Sequence, residues 1–201
     1  MRVKSQKKRN EIIAVAGALF RSHGYGALSM ALIAAEVGGS KGTLYGYFPS
    51  KEELFTAFVL SAGQQRWEEF NSVADRSDGI ENTLKDLGLR YLRFLLSDEI
   101  MSVNRLVIAE AARFPELGRI IHENGVKNVI GVFAETLERA ANAGELTIPD
   151  PIAAAWKFKA LCEARLFEEY LWAIRNSVTE QEIIDNIEPA CAIFLDHFHA
   201  G

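Results

Sequence analysis

Apolar residues recur at helical spacing along nearly the whole chain, and the alternating Val, Ile and Thr runs that mark strands are missing. Ile12, Ala16, Leu19 and Phe20 share one face of a first helix, predicted over residues 5–22 and stopped at Gly24. Ser29 stands where it caps a short second helix reaching Val37, and Gly38-Gly39 ends it. Ser40 caps a third, from Lys41 to Phe48, which Pro49 stops. Ser50-Lys51-Glu52-Glu53 reads as a capping box opening a long fourth helix, with Leu54, Phe55, Phe58, Val59 and Ala62 as its inward stripe. Helices are expected over residues 80–97, 98–113 and 116–143, with Phe114-Pro115 as the break before the last of these. Asp150-Pro151 opens an eighth over 152–174 that is apolar nearly all round. Thr179-Glu180-Gln181-Glu182 is a second capping box and opens the ninth, in which Pro189 removes one backbone hydrogen bond. The expectation is an all-α chain of about nine helices.

Residues 28–48 carry the most specific pattern. Two short helices, each capped by serine, are joined by about three residues around Gly38-Gly39-Ser40, the arrangement a helix-turn-helix requires. Ile33 and Val37 are expected to pack inward with Leu44 and Phe48, with Ala34 and Ala35 small enough for the helices to approach. That leaves Ser40, Lys41, Thr43, Tyr45 and Tyr47 facing out, a cation with hydroxyls and phenols that suit phosphate oxygens or base edges. Gly42 costs a helix about 1 kcal/mol relative to alanine, and a close approach of backbone to a ligand is one reason to keep it. A structural corner with a solvated face would show the same caps.

Charge separates the two readings. The 201 residues carry a net −5, yet residues 1–51 hold eight Lys and Arg against two acids, a net +6, so the remainder carries −11. A basic module on an acidic body points to a polyanionic partner for the module alone. The basic run Arg2–Arg9 either tracks a minor groove or neighbouring phosphates, or is a solubilising end. No run approaches the roughly 20 apolar residues of a membrane helix, and Glu11 together with Arg21-Ser22-His23 argues against a secretory leader. Two cysteines without a CxxC motif fit a reducing cytoplasm. The four histidines are scattered, and neither a metal-ligand spacing nor a catalytic or dinucleotide-binding motif occurs, so no enzyme, metal or cofactor is expected.

The stretch Ile33–Leu54, with Ser-Lys-Gly-Thr-Leu-Tyr followed by Tyr-Phe-Pro-Ser-Lys-Glu, resembles the N-terminal signature of TetR/AcrR-type bacterial transcriptional regulators, and Phe20–Tyr25 matches the end of that family's first helix. More weakly, Glu110–Leu117, Ala143–Leu146 and Asp150-Pro151 resemble the AefR-like branch. The resemblance implies a homodimer with an N-terminal three-helix DNA-binding domain (residues 1–52) and a C-terminal helical bundle for ligand binding and dimerisation (residues 53–201). It implies a third helix in the major groove of a palindromic duplex operator. Carried over by position, Ser29 would bind a phosphate; Ser40, Lys41, Gly42 and Thr43 would approach bases and backbone; Tyr45, Tyr47 and Lys51 would meet phosphates. Gly39 stands where the family commonly has valine and Gly46 where it often has Arg, Tyr or Asn, which puts turn packing and one contact in doubt.

Within the body, Trp67, Phe70, Met101, Phe133 and Trp156 are candidate walls of a site for an unidentified small-molecule effector, with Arg105 and Glu163 as polar anchors. Phe167, Tyr170 and Leu171 on the eighth helix and Ile184, Ile187, Cys191 and Phe194 on the ninth are candidate dimer contacts. The function expected is a ligand-responsive regulator, a repressor released from its operator by the effector. The competing reading is a helical small-molecule binding protein whose DNA module has decayed.

Overall fold

A computed structural model describes residues 5–71 and 79–199. The described chain forms eleven α-helices: α1 Gln6–His23, α2 Met30–Glu36, α3 Lys41–Tyr47, α4 Lys51–Asn71, α5 Gly79–Leu95, α6 Asp98–Glu110, α7 Pro115–Ile121, α8 Lys127–Asn142, α9 Pro151–Glu163, α10 Leu166–Leu171 and α11 Glu180–Phe198. Two of the nine expected helices are divided. The 116–143 helix is interrupted by a π-helical turn, His122–Val126, between α7 and α8. The 152–174 helix breaks at Ala164-Arg165, where Arg165 takes φ 58° and α10 starts afresh. Neither proline nor glycine marks that break, so periodicity alone runs straight through it.

The caps form as their residue types dictate. Ser5, Ser29, Ser40, Asp150 and Thr179 each accept a hydrogen bond from the backbone amide three residues on, meeting donors that no helical carbonyl can satisfy. At Thr179 the box is complete, since the Glu182 carboxylate also accepts from the Thr179 amide at 2.9 Å. Glu182 further accepts from Arg175 at 2.6 Å, and these bonds, the Thr179 amide first, bring its carboxyl down to about 2. A depressed folded-state value means that the contribution is present above the ordinary 4.5 and lost as pH falls towards 2. Glu182→Gln is therefore expected to lower Tm by a constant amount above about pH 5, with the gap to wild type closing on acidification. A gap independent of pH in thermal melts from pH 7 to pH 2.5 would contradict this.

The chain divides into two compact units. One comprises residues up to Gly63 with Ser102–Gly125, the other Gln64–Met101 with residues from Val126 onward. Helices α4 and α6 each contribute residues to both. The first unit has its own core, in which Ile12, Phe20, Ile33, Leu44 and Phe55 meet Val107 and Leu117. Phe20, Tyr25, Phe55 and Phe58 form a knot of rings with centroids 5.2–5.9 Å apart. The second is threaded by a ladder of rings: Phe70–Phe133 at 6.0 Å, Phe133–Phe158 at 5.2 Å, Phe158–Phe194 at 5.1 Å and Phe194–Phe198 at 4.7 Å. No described helix is long and apolar enough to cross a membrane.

Candidate DNA-binding surface and effector unit

The turn between α2 and α3 closes on backbone bonds. The Gly39 amide donates to Ala34 O at 3.2 Å and the Gly38 amide to Ala35 O at 3.1 Å, with Gly38 at φ 69°, the Schellman arrangement. Only Gly38 needs the left-handed backbone; Gly39 lacks the side chain that commonly adds an apolar contact to this turn. As expected, Ile33, Val37, Leu44 and Phe48 lock the two helices from inside, and Ala34 is buried with them. Ala35 is the exception, for it points to solvent.

What remains on α3 is a bare outer face. Lys41, Gly42, Thr43, Tyr45 and Gly46 are exposed, Tyr45 by 48%, and Tyr47 is half-buried. A side chain at Gly42 would meet nothing nearer than Ser40 Oγ at 3.8 Å, so no neighbour in the chain requires glycine there. Ser40 Oγ accepts the Thr43 amide at 3.1 Å and lies 2.9 Å from Thr43 Oγ1, which sets the threonine hydroxyl at the head of the helix. Ser29 Oγ accepts the Leu32 amide at 3.2 Å. Acceptance leaves Ser29 its O–H to donate to a phosphate oxygen, while the Ser40 and Thr43 hydroxyls share one hydrogen bond and leave one O–H between them. Ser29 and these α3 residues therefore lie within one helix-turn-helix, most of them on its solvent side.

Lys51 is placed otherwise. Its ammonium donates to Tyr25 O and Leu28 O, both at 2.8 Å, and lies 4.0 Å from the centre of the Tyr25 ring. Burial pulls it below the usual lysine range, against the opposing pull of Glu110 and Glu116. On the other side of this loop, Glu110 Oε1 accepts the Gly26 amide at 3.2 Å, and Phe114 packs edge-on to Tyr25 at 5.2 Å. Residues 25–28 are thus gripped by α4 and by the end of α6, a role for Lys51 and Glu110 that their sequence neighbours do not reveal. Lys51→Met is expected to cost about 1–2 kcal/mol, the loss of charged hydrogen bonds moderated by partial access of water. It should leave the salt dependence of DNA binding unchanged; a slope smaller by about 0.9 per protomer would return Lys51 to the phosphate contacts.

The seven candidate effector residues do not all come together. Phe70, Met101 and Phe133 are sealed in the second core, and Trp67 packs against Phe70 at 5.3 Å. Glu163 is partly buried, accepting from Lys159 Nζ at 2.6 Å and from the hydroxyl of Tyr91, whose ring lies against Phe133. Trp156 faces outward, 41% exposed, and Arg105 belongs to the first unit. A separate cleft of about 390 Å³ opens between Arg93, Leu96, Asp98, Tyr170, Val178 and Ile183, and none of the seven lines it.

Of the dimer candidates, Ile187, Cys191, Phe194 and Tyr170 are enclosed by their own chain, which removes them from any surface a partner could touch. Burial likewise pushes the Cys191 thiol up to about 12, so it is not poised for redox chemistry. Phe167, Leu171 and Ile184 are partly exposed. Among the described residues of this unit, the large apolar side chains that do face solvent are Ile152 and Trp156 on α9, Trp172 and Ile174 after α10, and Ile193 on α11.

Comparison with known proteins places these features in context. Residues 12–58 match the bacterial regulatory protein, tetR family model, and residues 82–200 match the AefR-like transcriptional repressor C-terminal domain. The solved structure of the flavonoid-responsive regulator FrrA is 32% identical with TM-score 0.87, covering 97% of this chain and 98% of that one. A TetR-family transcriptional regulator from Mesorhizobium loti MAFF303099 is 30% identical with TM-score 0.83, covering 98% of this chain and all of the other. An HTH-type transcriptional regulator of Mycobacterium bovis is 27% identical over 140 residues, 70% of this chain and 66% of its own length.

Proposed function

This chain belongs to the TetR family of DNA-binding transcriptional regulators, with an AefR-like C-terminal domain, and we propose that it represses transcription as a homodimer bound to a palindromic operator. The observation that carries the reading is the outer face of α3, where Lys41, Thr43 and Tyr45 stand exposed beside a glycine that no neighbour in the chain requires. Residues 1–52 form the DNA-binding domain in this reading, with Ser29, Ser40, Lys41, Gly42, Thr43, Tyr45 and Tyr47 as contacts. Residues 53–201 bind the effector and the second protomer, although residues 53–63 and Ser102–Gly125 pack as part of the first compact unit. The exposed Ile152 and Trp156 on α9 and Ile193 on α11 are the better interface candidates, because a partner must cover apolar area that the chain leaves uncovered.

Small-molecule release is the second half of the proposal. FrrA is named as flavonoid-responsive, and the cleft of the second unit here sets the apolar Leu96, Val178 and Ile183 beside the polar groups of Arg93, Asp98 and Tyr170. A planar aromatic effector bearing hydroxyls suits that chemistry. Helix α4 contributes residues to both units and carries Lys51 at its start, and in this proposal effector binding shifts α4. The two recognition helices then lose the 34–36 Å spacing of successive major grooves. Turning a 99:1 preference into 1:99 requires about 5.5 kcal/mol of differential effector affinity. Anisotropy of labelled operator, titrated with a panel of flavonoids, tests it: release at micromolar concentration supports an aromatic effector, and retention of DNA at saturation by every member removes that class.

A further inference from the structure

Three stretches of the chain meet at the cleft of the second unit: Arg93 and Leu96 from the end of α5, Asp98 from the start of α6, and Tyr170, Val178 and Ile183 from α10 to α11. The loop between α10 and α11 is held by its own segment. The Ile174 and Arg175 amides donate to Glu169 O at 2.9 and 3.3 Å. The Arg175 guanidinium donates to the Glu169 carboxylate at 3.0 Å and to that of Glu182 at 2.6 Å. The chain itself therefore fixes this wall of the cleft.

Charges at the rim pair off. Arg93 Nε donates to both oxygens of Glu180, at 3.1 and 3.2 Å, while Arg165 and Arg175 share Glu169 and Glu182. Asp98 has a neutral partner instead: the Tyr170 hydroxyl donates to its Oδ1 at 2.8 Å, and Tyr170 is itself buried. That bond steadies the carboxylate yet takes one of its roughly four lone-pair positions. Asp98 is exposed where it lines the cleft, so the other positions face an incoming ligand beside the apolar Leu96, Val178 and Ile183. With the cleft as the effector site, the reading on which this rests, we propose that Asp98 selects the effector. Its carboxylate accepts a hydrogen bond from a hydroxyl on an aromatic body and turns away the same body when that carries a carboxylate. A charged acceptor strengthens the bond to the hydroxyl, and like charges at the same distance repel. Arg93 does not offset the repulsion, because Glu180 already holds its Nε edge.

Equilibrium dialysis of the full chain near neutral pH against 2-naphthol, 2-methoxynaphthalene and 2-naphthoate tests this. The three share one aromatic body and differ in the group they offer: a donor, an acceptor alone and an anion. Wild type is expected to hold 2-naphthol about tenfold more tightly than either of the others, the worth of one charge-assisted hydrogen bond. Asp98→Asn keeps an acceptor and loses the charge, so the preference for 2-naphthol over 2-naphthoate should shrink by about tenfold. General damage to the fold would weaken both probes and leave that ratio where it was. An unchanged ratio overturns the role of Asp98 alone. So does a wild-type chain that holds the three probes alike, a result that needs no variant. A wild-type chain that binds none of the three overturns the aromatic-effector reading of the cleft and the role of Asp98 with it.

Discussion

Alanine at both Lys41 and Tyr45 is expected to weaken operator binding about a thousandfold while moving Tm by no more than a degree or two. Both side chains are exposed on α3 and neither takes part in the core that Leu44 and Phe48 close. In a symmetric dimer the substitutions remove four contacts, and at about 1 kcal/mol each the loss is about 4 kcal/mol, or three orders of magnitude in Kd. Removing the Lys41 charge also lowers the salt slope by about 0.9 per protomer. Retained affinity, measured by anisotropy on the selected duplex, would move the reading surface away from α3. Affinity lost in step with thermal stability would show instead that the pair is structural.

The second large effect concerns the body. Phe133 is fully buried, with the rings of Tyr91, Phe158 and Phe70 at 5.3, 5.2 and 6.0 Å. Deleting it leaves a cavity between three aromatic neighbours that are themselves held by further rings, so collapse around the gap is limited. Phe133→Ala is expected to cost about 3–5 kcal/mol, a large share of the 5–15 kcal/mol that stabilises an ordinary domain. Urea unfolding followed by circular dichroism gives the value directly. A loss below about 1 kcal/mol would mean that Phe133 lines a space already open, which would return it to the wall of the effector site.

The helix-turn-helix was legible because its determinants are local. Caps at Ser29 and Ser40, the glycine at the turn and the inward Ile33, Val37, Leu44 and Phe48 all act within a few residues of themselves. Ala35 was misplaced because two adjacent alanines offer the same small volume, and only the helix phase decides which one the partner meets. Lys51 escaped for the opposite reason: the carbonyls it holds lie 23 and 26 positions away, at Leu28 and Tyr25. In the body, an apolar stripe on α11 has the same spacing whether a neighbouring helix or a second protomer covers it. Packing of α11 on α5 and α9 uses Ile187, Cys191 and Phe194 within the chain. The break at Arg165 was hidden because a non-glycine residue at φ 58° has no sequence mark; tertiary packing of Leu166 and Tyr170 holds it against a cost of about 1–3 kcal/mol.

Selection of the purified protein on fragmented genomic DNA, followed by salt titration of the enriched fragment and a count of bound protomers, bears most directly on whether this is an operator-binding regulator. Expected is a short palindrome with half-sites one helical turn apart, bound by two protomers, with affinity falling linearly in log salt. Weak binding equal on all fragments, with no palindrome enriched, would contradict it and leave a helical ligand-binding protein with a basic module that reads no sequence.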